Sequence, residues 1–550
     1  MIFLLLSNAV SIRKDKSILY SRLAISIIFI SALIIFNDLS FNNINKYIAI
    51  YGGLYRASCL TQIFHLFILI LSFIIMFLTS FYNRKILNYY FLSFFKLFTH
   101  KIIYANKKIL NKTSKQFRIS EYPVLILFVL IGILLVMCSS DLISMFLSIE
   151  LQSYGLYIIC TIYRNSELST SGGLTYFLLG GLSSCLILLG SSLLYVNSGT
   201  TYTEGLYIIT SVSDLTHNAP CWYKPYYMHI SMLIISTGFL FKLSASPFHF
   251  WSPDVYDAIP TSITTIVATL SKISIFVLLF QIVNFSCKYP FTYDYNWIII
   301  ISTSSLLSLI VGTIGGLTQS KIKKLFAYST ISHTGFILLS ISINSLESIQ
   351  AFIFYIIQYS ISNLNAFIIL LTIGYTHFFF FNKNNNHKHI QEVNNSPIQY
   401  IEQLKGYFYI NPFLSISLVI TLFSFIGLPP LIGFFGKLMV LTAAIDKGYI
   451  YLSLVGILTS VISAVYYLNI VKTIFFTSPN IYKLNTNNFN LVGYILKNNL
   501  LIKKILIKNI TISSNLTIII SILTLIILFF IIVPQELVDM ANILSLCVFN

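Results

Sequence analysis

Five ionisable residues of this 550-residue chain stand in sequence so apolar that water cannot be their main partner: Glu150, Lys242, Lys272, His333 and Lys437. The stretch from Lys242 to Lys272 also carries Pro247, Pro253 and Pro260, with His249, Asp254 and Asp257 between them. Proline removes a backbone donor and stops a helix, so the freed carbonyls need protein or water as partners. A broken membrane helix with an ionisable residue beside it marks an ion or proton pathway. The bland alternative is a kinked helix whose lysine snorkels to the surface. Burial disfavours an ammonium and a neighbouring carboxylate favours it, so a lysine in such a place exchanges protons near neutral pH, as a solvated lysine does not.

Spacing puts these groups deep. Glu150, in MFLSIELQSYGLY, is nine residues past Asp141, about 13 Å along a helix. Lys272 is twelve residues past Pro260, about 18 Å in and near the midplane. His333 is nine residues past Lys324, again about 13 Å deep. It reads equally as a relay between lysines or as a structural histidine bonded across helices. Lys437 accompanies a second break, Pro429-Pro430 in IGLPPLIGFFGK. One buried acid alone would be protonated and inert, but one acid with three lysines points to a shared proton path. Glu150 and Lys242 are expected to face each other between the fifth and seventh helices. His249 is expected to tie down carbonyls freed by its break, and Asp254 and Asp257 to be solvated at the membrane edge.

The elements that must hold these residues are apolar runs. A chain that is 56% hydrophobic and 9% charged, with a mean hydropathy of +0.83, is excluded from the water-soluble globules. The expected fold class is an all-α integral membrane protein. Runs at 1–12, 18–37, 60–82, 122–139, 141–162, 172–197, 228–252, 259–284, 296–317, 325–345, 350–378, 410–445, 449–477 and 514–533 give about fourteen candidate helices. The first is short for a core of about 30 Å, and the seventh and twelfth are interrupted.

Lysine and arginine test that reading. Of 34, loops after odd-numbered helices hold 24, loops after even-numbered helices hold five, and five lie within or at the ends of helices. The bias places the odd loops in the matrix or cytoplasm and both termini outside. The loops 83–120, 379–409 and 478–513 read as connectors facing lipid headgroups or a neighbouring subunit, with no chemistry of their own. Helices four to eight and nine to thirteen each have a broken helix in fourth place. Five is odd, so the second block enters from the opposite side, an inverted repeat. The expected domains are residues 1–121 (three helices and a basic loop), 122–295 (first repeat), 296–477 (second repeat) and 478–550 (basic loop and last helix).

Other chemistries lack their residues. The seven cysteines are dispersed without C-x-x-C, His387 and His389 sit in an Asn-rich run, and no G-x-G-x-x-G or Walker sequence occurs. No zinc, haem, iron–sulfur or nucleotide site is expected, and the basic residues follow topology, not nucleic acid. Residues 1–12 are apolar ahead of any basic residue, the reverse of a signal peptide. Abundant Ile, Asn, Phe, Tyr, Lys and Leu with sparse Gly, Pro and Ala fit an AT-rich genome, mitochondrial or bacterial.

Three motifs carry a resemblance. SPFHFWSPDVYDAIPTS, with the upstream Phe241-Lys242, resembles the signature of the chain 2 family of antiporter-like subunits of mitochondrial NADH–ubiquinone oxidoreductase, respiratory complex I. QSKIKKLFAYSTISHTGF and GLPPLIGFFGK are similar to blocks shared with other antiporter-like chains and multisubunit sodium/proton antiporters. The likeness runs over residues 122 to 477. The acidic H-x-E-x-P form of the first motif typical of chains 4 and 5 is absent here, and the lateral helix of chain 5 is not expected. The resemblance implies a multi-pass subunit of the mitochondrial inner membrane that moves protons while NADH, FMN, iron–sulfur clusters and ubiquinone are handled by other subunits. It implies chain 4 and chain 4L neighbours, with lipids such as cardiolipin. It also implies proton-path roles for Glu150, Lys242, Lys272 and Lys437, with His333 on the central axis. A stand-alone cation/proton antiporter and a structural scaffold are the rival readings.

Overall fold

In lipid every backbone group needs an internal partner, so long apolar runs resolve into helices. The computed structural model describes residues 2–10, 17–39, 48–80, 121–164, 166–206, 225–288, 297–381, 398–477, 514–532 and 534–549. The loops 83–120 and 478–513, and most of 379–409, lie outside the described residues.

Helices α1 (Ile2–Val10) and α2 (Ser17–Leu39) precede a hairpin of β1 (Ile48–Ile50) and β2 (Tyr55–Ala57), then α3 (Cys59–Ser80). Next come α4 (Tyr122–Cys138), α5 (Leu142–Thr161) and α6 (Glu167–Ser198). The seventh apolar run is two helices, α7 (Pro225–Leu243) and α8 (Trp251–Ala258), and the eighth is also two, α9 (Thr261–Ala268) and α10 (Leu270–Lys288). They are followed by α11 (Ile298–Leu317), α12 (Ile322–Ile343) and α13 (Leu346–Phe381). The twelfth run splits into α14 (Pro412–Ile426) and α15 (Ile432–Asp446), with α16 (Ile450–Phe475), α17 (Ser514–Phe529) and α18 (Pro534–Phe549) completing the order. Nine helical stretches among the described residues are long and apolar enough to cross a membrane, so the protein is an all-α, multi-pass membrane protein.

Four details differ from expectation. With nine residues, the described α1 reaches only about 14 Å, about half of a bilayer core of about 30 Å. Residues 253–258, read as a loop, lie within α8 because Pro253 falls in a first turn, where its missing donor costs nothing. The eighth run breaks at Thr269, three residues before Lys272, with no proline to announce it. Finally, α18 turns back from α17 at 84° and packs on α13 and α3, where the sequence reading placed no element.

The central helices are α9 with α10, α12 and α13, whose apolar spans are 89%, 89% and 94% buried, against 22% for α2 and 28% for α6. Connecting segments meet by parity. The loops after the second, fourth and sixth runs join through Tyr55 with Ser139 and Asp141 with Tyr202. Those after the seventh, ninth and eleventh join through Asp257 with Lys321 and Lys321 with Tyr400, and Gly406 donates to the Thr473 carbonyl in the last turn of α16.

Two helix pairs pack alike. A Cβ on Gly132 of α4 would stand 2.6 Å from the Gln152 amide nitrogen of α5, and one on Gly312 of α11 would stand 2.5 Å from that of Ser332 on α12. The reciprocal contacts are Gly155 on Val129 and Gly335 on Ser308 and Leu309. The partners keep one offset throughout, 132 to 312, 152 to 332 and 155 to 335. Because backbone stands in the way, Gly132→Ala and Gly312→Ala are each expected to destabilise the protein by about 1–3 kcal/mol. Gly181→Ala, whose Cβ would meet nothing within 4 Å, is expected to leave stability unchanged or raise it by up to about 1 kcal/mol. Thermal unfolding of the three variants checks the contrast.

A buried ionisable axis as the candidate functional site

The Asp141 side chain caps the start of α5 by accepting from the Ile143 amide at 3.2 Å, and close packing at Gly132 and Gly155 fixes that helix against α4. Glu150 therefore projects from a rigid element. Lys242 arrives on the last turn of α7, and its Nζ stands 3.7 Å from Glu150 Oε1, with both side chains largely buried. The expected facing pair is present. Ser153, one turn along α5, donates to Glu150 Oε2 at 3.4 Å.

Beyond Lys242 the chain leaves the helix. Ser244 has a φ of +58°, which L-residues adopt at a cost, and the Phe241 carbonyl freed here accepts from the Trp251 indole N–H at 2.8 Å. The His249 ring lies against Phe250 and Tyr328, with the Pro247 carbonyl of the break beside it. Trp251 makes the tie because its indole is long enough to reach back across the break.

Lys272, 1% exposed, donates to Ser244 Oγ at 3.0 Å and to Thr330 Oγ1 at 3.4 Å, with the Tyr256 ring 5.9 Å away. Side chains satisfy the unannounced break before it: Ser271 Oγ donates to the Val267 carbonyl at 2.7 Å, and Gln152 Nε2 to the Ser271 carbonyl at 3.3 Å. Ser274 in turn donates to Gln152 Oε1 at 3.0 Å, so one glutamine fastens the Lys272 helix to the Glu150 helix.

Three residues after Thr330 on α12, His333 Nδ1 lies 2.8 Å from the Tyr355 hydroxyl of α13, and its ring packs against Phe425. Lys437 donates to the Phe425 and Ile426 carbonyls, both at 2.8 Å, which end α14 at the second break. These are the negative end of a helix and ready acceptors for an ammonium. The five predicted residues thus form a buried series carried by α5, α7, α10, α12 and α15. Neighbouring cations on it do not touch, because hydroxyls, a ring and carbonyls alternate with them. Serine, threonine and tyrosine hydroxyls both donate and accept, so this order suits proton transfer between fixed cations.

Sequence reasoning missed one cation. Lys323, counted as a loop residue, is 2% exposed and donates to the Ile259 carbonyl at 2.5 Å. Its neighbours correct the view of the two aspartates. Lys321 pairs with Asp257 at 2.6 Å and Lys324 with Asp254 at 2.8 Å, and only Asp254 is well exposed. The signal was the K-I-K-K spacing, which alternates lysines toward the bundle and toward water. Among the described residues, no three His, Cys, Asp or Glu side chains gather as a metal site would require.

Residues 139–463 match the sequence model of the family described as NADH:quinone oxidoreductase/Mrp antiporter, transmembrane. NADH-ubiquinone oxidoreductase chain 2 of Rhizopus oryzae is 42% identical over 99% of this chain and 98% of its own length. The protein of that name from Arabidopsis thaliana is 35% identical over 66% of this chain and 67% of its own. Subunit N of the NADH-quinone oxidoreductase of Jannaschia sp. is 35% identical over 65% and 68%. Solved structures share the fold. A chain of respiratory complex I from Thermus thermophilus superposes with a TM-score of 0.62 at 21% identity, covering 92% of each chain. A chain of the Mrp complex from Dietzia sp. DQ12-45-1b gives 0.72 at 15% identity, covering 100% of this chain and 96% of its own. With the family matched over more than half of its length and a chain 2 relative aligned almost throughout, the chain belongs to the antiporter-like NADH:quinone oxidoreductase/Mrp family, in its chain 2 branch.

Proposed function

We propose that this protein is a proton-translocating membrane-arm subunit of NADH:ubiquinone oxidoreductase, in which Glu150, Lys242, Lys272, His333 and Lys437 form the proton path. The observation that carries the reading is the series of buried contacts, from the Glu150–Lys242 pair at 3.7 Å, through Lys272 on Ser244 and Thr330 and His333 beside Tyr355, to Lys437 on the carbonyls of the second break. As a core subunit of the proton-translocating reductase it takes part in catalysis without a redox centre of its own. NADH, FMN, iron–sulfur clusters and ubiquinone belong to other subunits. The 42% identity to a chain 2 protein favours this over a stand-alone cation/proton antiporter, which would share the fold.

In this reading the setting is the mitochondrial inner membrane, the gene is mitochondrial, and chain 4, chain 4L and cardiolipin are neighbours. The domains run 1–121, 122–295, 296–477 and 478–550, the middle two being inverted repeats. The constant glycine offset supports that symmetry. The basic odd-numbered loops face the matrix, so protease admitted only from the outer side is expected to spare 83–120 and 379–409, as immunoblotting of fragments would report.

Lys272 is the central exchange point. In the assembled complex, Lys272→Ala is expected to lower proton pumping about tenfold or more while assembly persists. Lys272→Arg keeps the charge, and arginine scarcely deprotonates, so full pumping in that variant would reduce Lys272 to a fixed charge. Vesicle acidification per NADH oxidised reads both.

The Glu150–Lys242 pair is the switch. A carboxylate that faces the ammonium favours its charged form, and drawing the two apart releases a proton toward Lys272. Glu150→Gln is therefore expected to cost more coupled activity than Glu150→Asp. The double change with Lys242→Met should be no worse than the more severe single one, since both remove one interaction. Fully additive losses would mean that the two residues act independently.

A further inference from the structure

Lys242, the partner of Glu150, lines a cavity of about 30 Å³, enough for about two waters. Gln152, Ser153, Tyr157, Tyr176, Ser183 and Lys242 give its lining most of its polar character. It adjoins an unsettled contact. At 3.7 Å the pair is longer than a hydrogen bond, and Glu150 Oε1 is buried with no hydrogen-bond donor. A polar gap of this length beside a space of this size is where a bridging water belongs.

The cavity leads away from the lysines. Glu150, Ser153 and Tyr157 follow one another at helical spacing on one face of α5. The Ser153 hydroxyl donates to Glu150 Oε2, and Tyr157, one turn further along the same face, lines the same cavity as Ser153. Tyr157 is seven residues on, about 10 Å nearer the Thr161 end of the helix. That end lies opposite the Asp141 end, which meets the loops after the second and sixth runs. Its ring is held edge-on against Tyr154, Tyr176 and Phe177. Its hydroxyl fills a notch at Gly180 of α6, where a Cβ would collide with it. The phenol is thus buried and firmly held, with its hydroxyl at the cavity wall beside Gly180.

Resting on the proton-path reading above, we infer that this cavity is a hydrated side port to the Glu150–Lys242 pair, and that Tyr157 relays protons between it and Glu150, off the lysine–histidine line. Each hydroxyl on the route accepts one proton as it gives another. Tyr157 and Ser153 are left unchanged, and the Glu150 carboxylate gains the proton.

The test uses the intact complex in sealed vesicles, with Lys272→Ala measured in parallel. Tyr157→Phe keeps the ring and removes the hydroxyl. It is expected to assemble, to keep NADH oxidation by an artificial acceptor, and to lower pumping-coupled quinone reduction about tenfold. That is less than an obligatory proton-transfer group contributes, because water stands in for one hydroxyl. The solvent deuterium isotope effect on turnover should rise with it, which a packing defect would not produce. Gly180→Ala, which crowds the same hydroxyl, is expected to act in the same direction. Normal turnover and pumping in Tyr157→Phe alongside an impaired Lys272→Ala would overturn the port and leave the axis standing. Normal pumping in both would overturn the axis and the port with it. A map of the complex that resolves waters decides the matter even if the variants fail to assemble. Waters touching Tyr157 and Lys242 support the port, and a lipid chain filling the cavity overturns it.

Discussion

The constraint behind this structure is that a bilayer offers no water to an interrupted backbone, so each break in a helix must find its partners inside the protein. The breaks and the buried cations solve each other's problem. The carbonyls that end α14 accept from Lys437, the Ile259 carbonyl before α9 accepts from Lys323, and Phe241 at the end of α7 accepts from Trp251. An unpartnered buried polar group costs roughly 1–3 kcal/mol, more if charged, so removing either side of such a contact penalises the other. Broken helices and ionisable residues therefore occur together because each makes the other tolerable.

The internal symmetry is close in packing and loose in chemistry. Gly132 and Gly155 have counterparts in Gly312 and Gly335, and Asp141 and Lys321 each precede the second helix of their pair. At the same offset, however, Glu150 corresponds to Thr330, a neutral hydroxyl that receives Lys272. The break at Thr269 has no counterpart in α16, which runs unbroken from Ile450 to Phe475. Lys242 precedes its break and Lys437 follows the other, yet both ammonium groups lie beside the carboxyl end of the leading half-helix. Backbone geometry was kept on both sides while the titrating groups diverged.

Much of this was legible in the sequence because the signals were composition and covalent chemistry. Apolar runs gave the helices, prolines gave the breaks at 247 and 429–430, and ionisable residues far from any loop gave the axis. What stayed hidden depends on side chains meeting across helices. The break at Thr269 arises where Thr269, Ser271 and Gln152 satisfy carbonyls from outside the ladder, and no residue type there demands it. Lys323 looked like a loop residue because Lys321 and Lys324 lie close to it in sequence, yet its ammonium donates inward to the Ile259 carbonyl. The linking roles of Ser244, Thr330 and Tyr355 could not be read, since serine, threonine and tyrosine are common throughout these helices.

Ser244 carries one more implication. It is a non-glycine residue in the left-handed region, at a corner where glycine would fit without strain, and its hydroxyl is the nearest acceptor of the Lys272 ammonium. Such a conformation costs a side chain of order 1–3 kcal/mol. Selection for stability alone would favour glycine at this corner, and selection for a seat under the central lysine favours serine. The serine found here sits at a corner where a hardier protein and a working one would carry different residues.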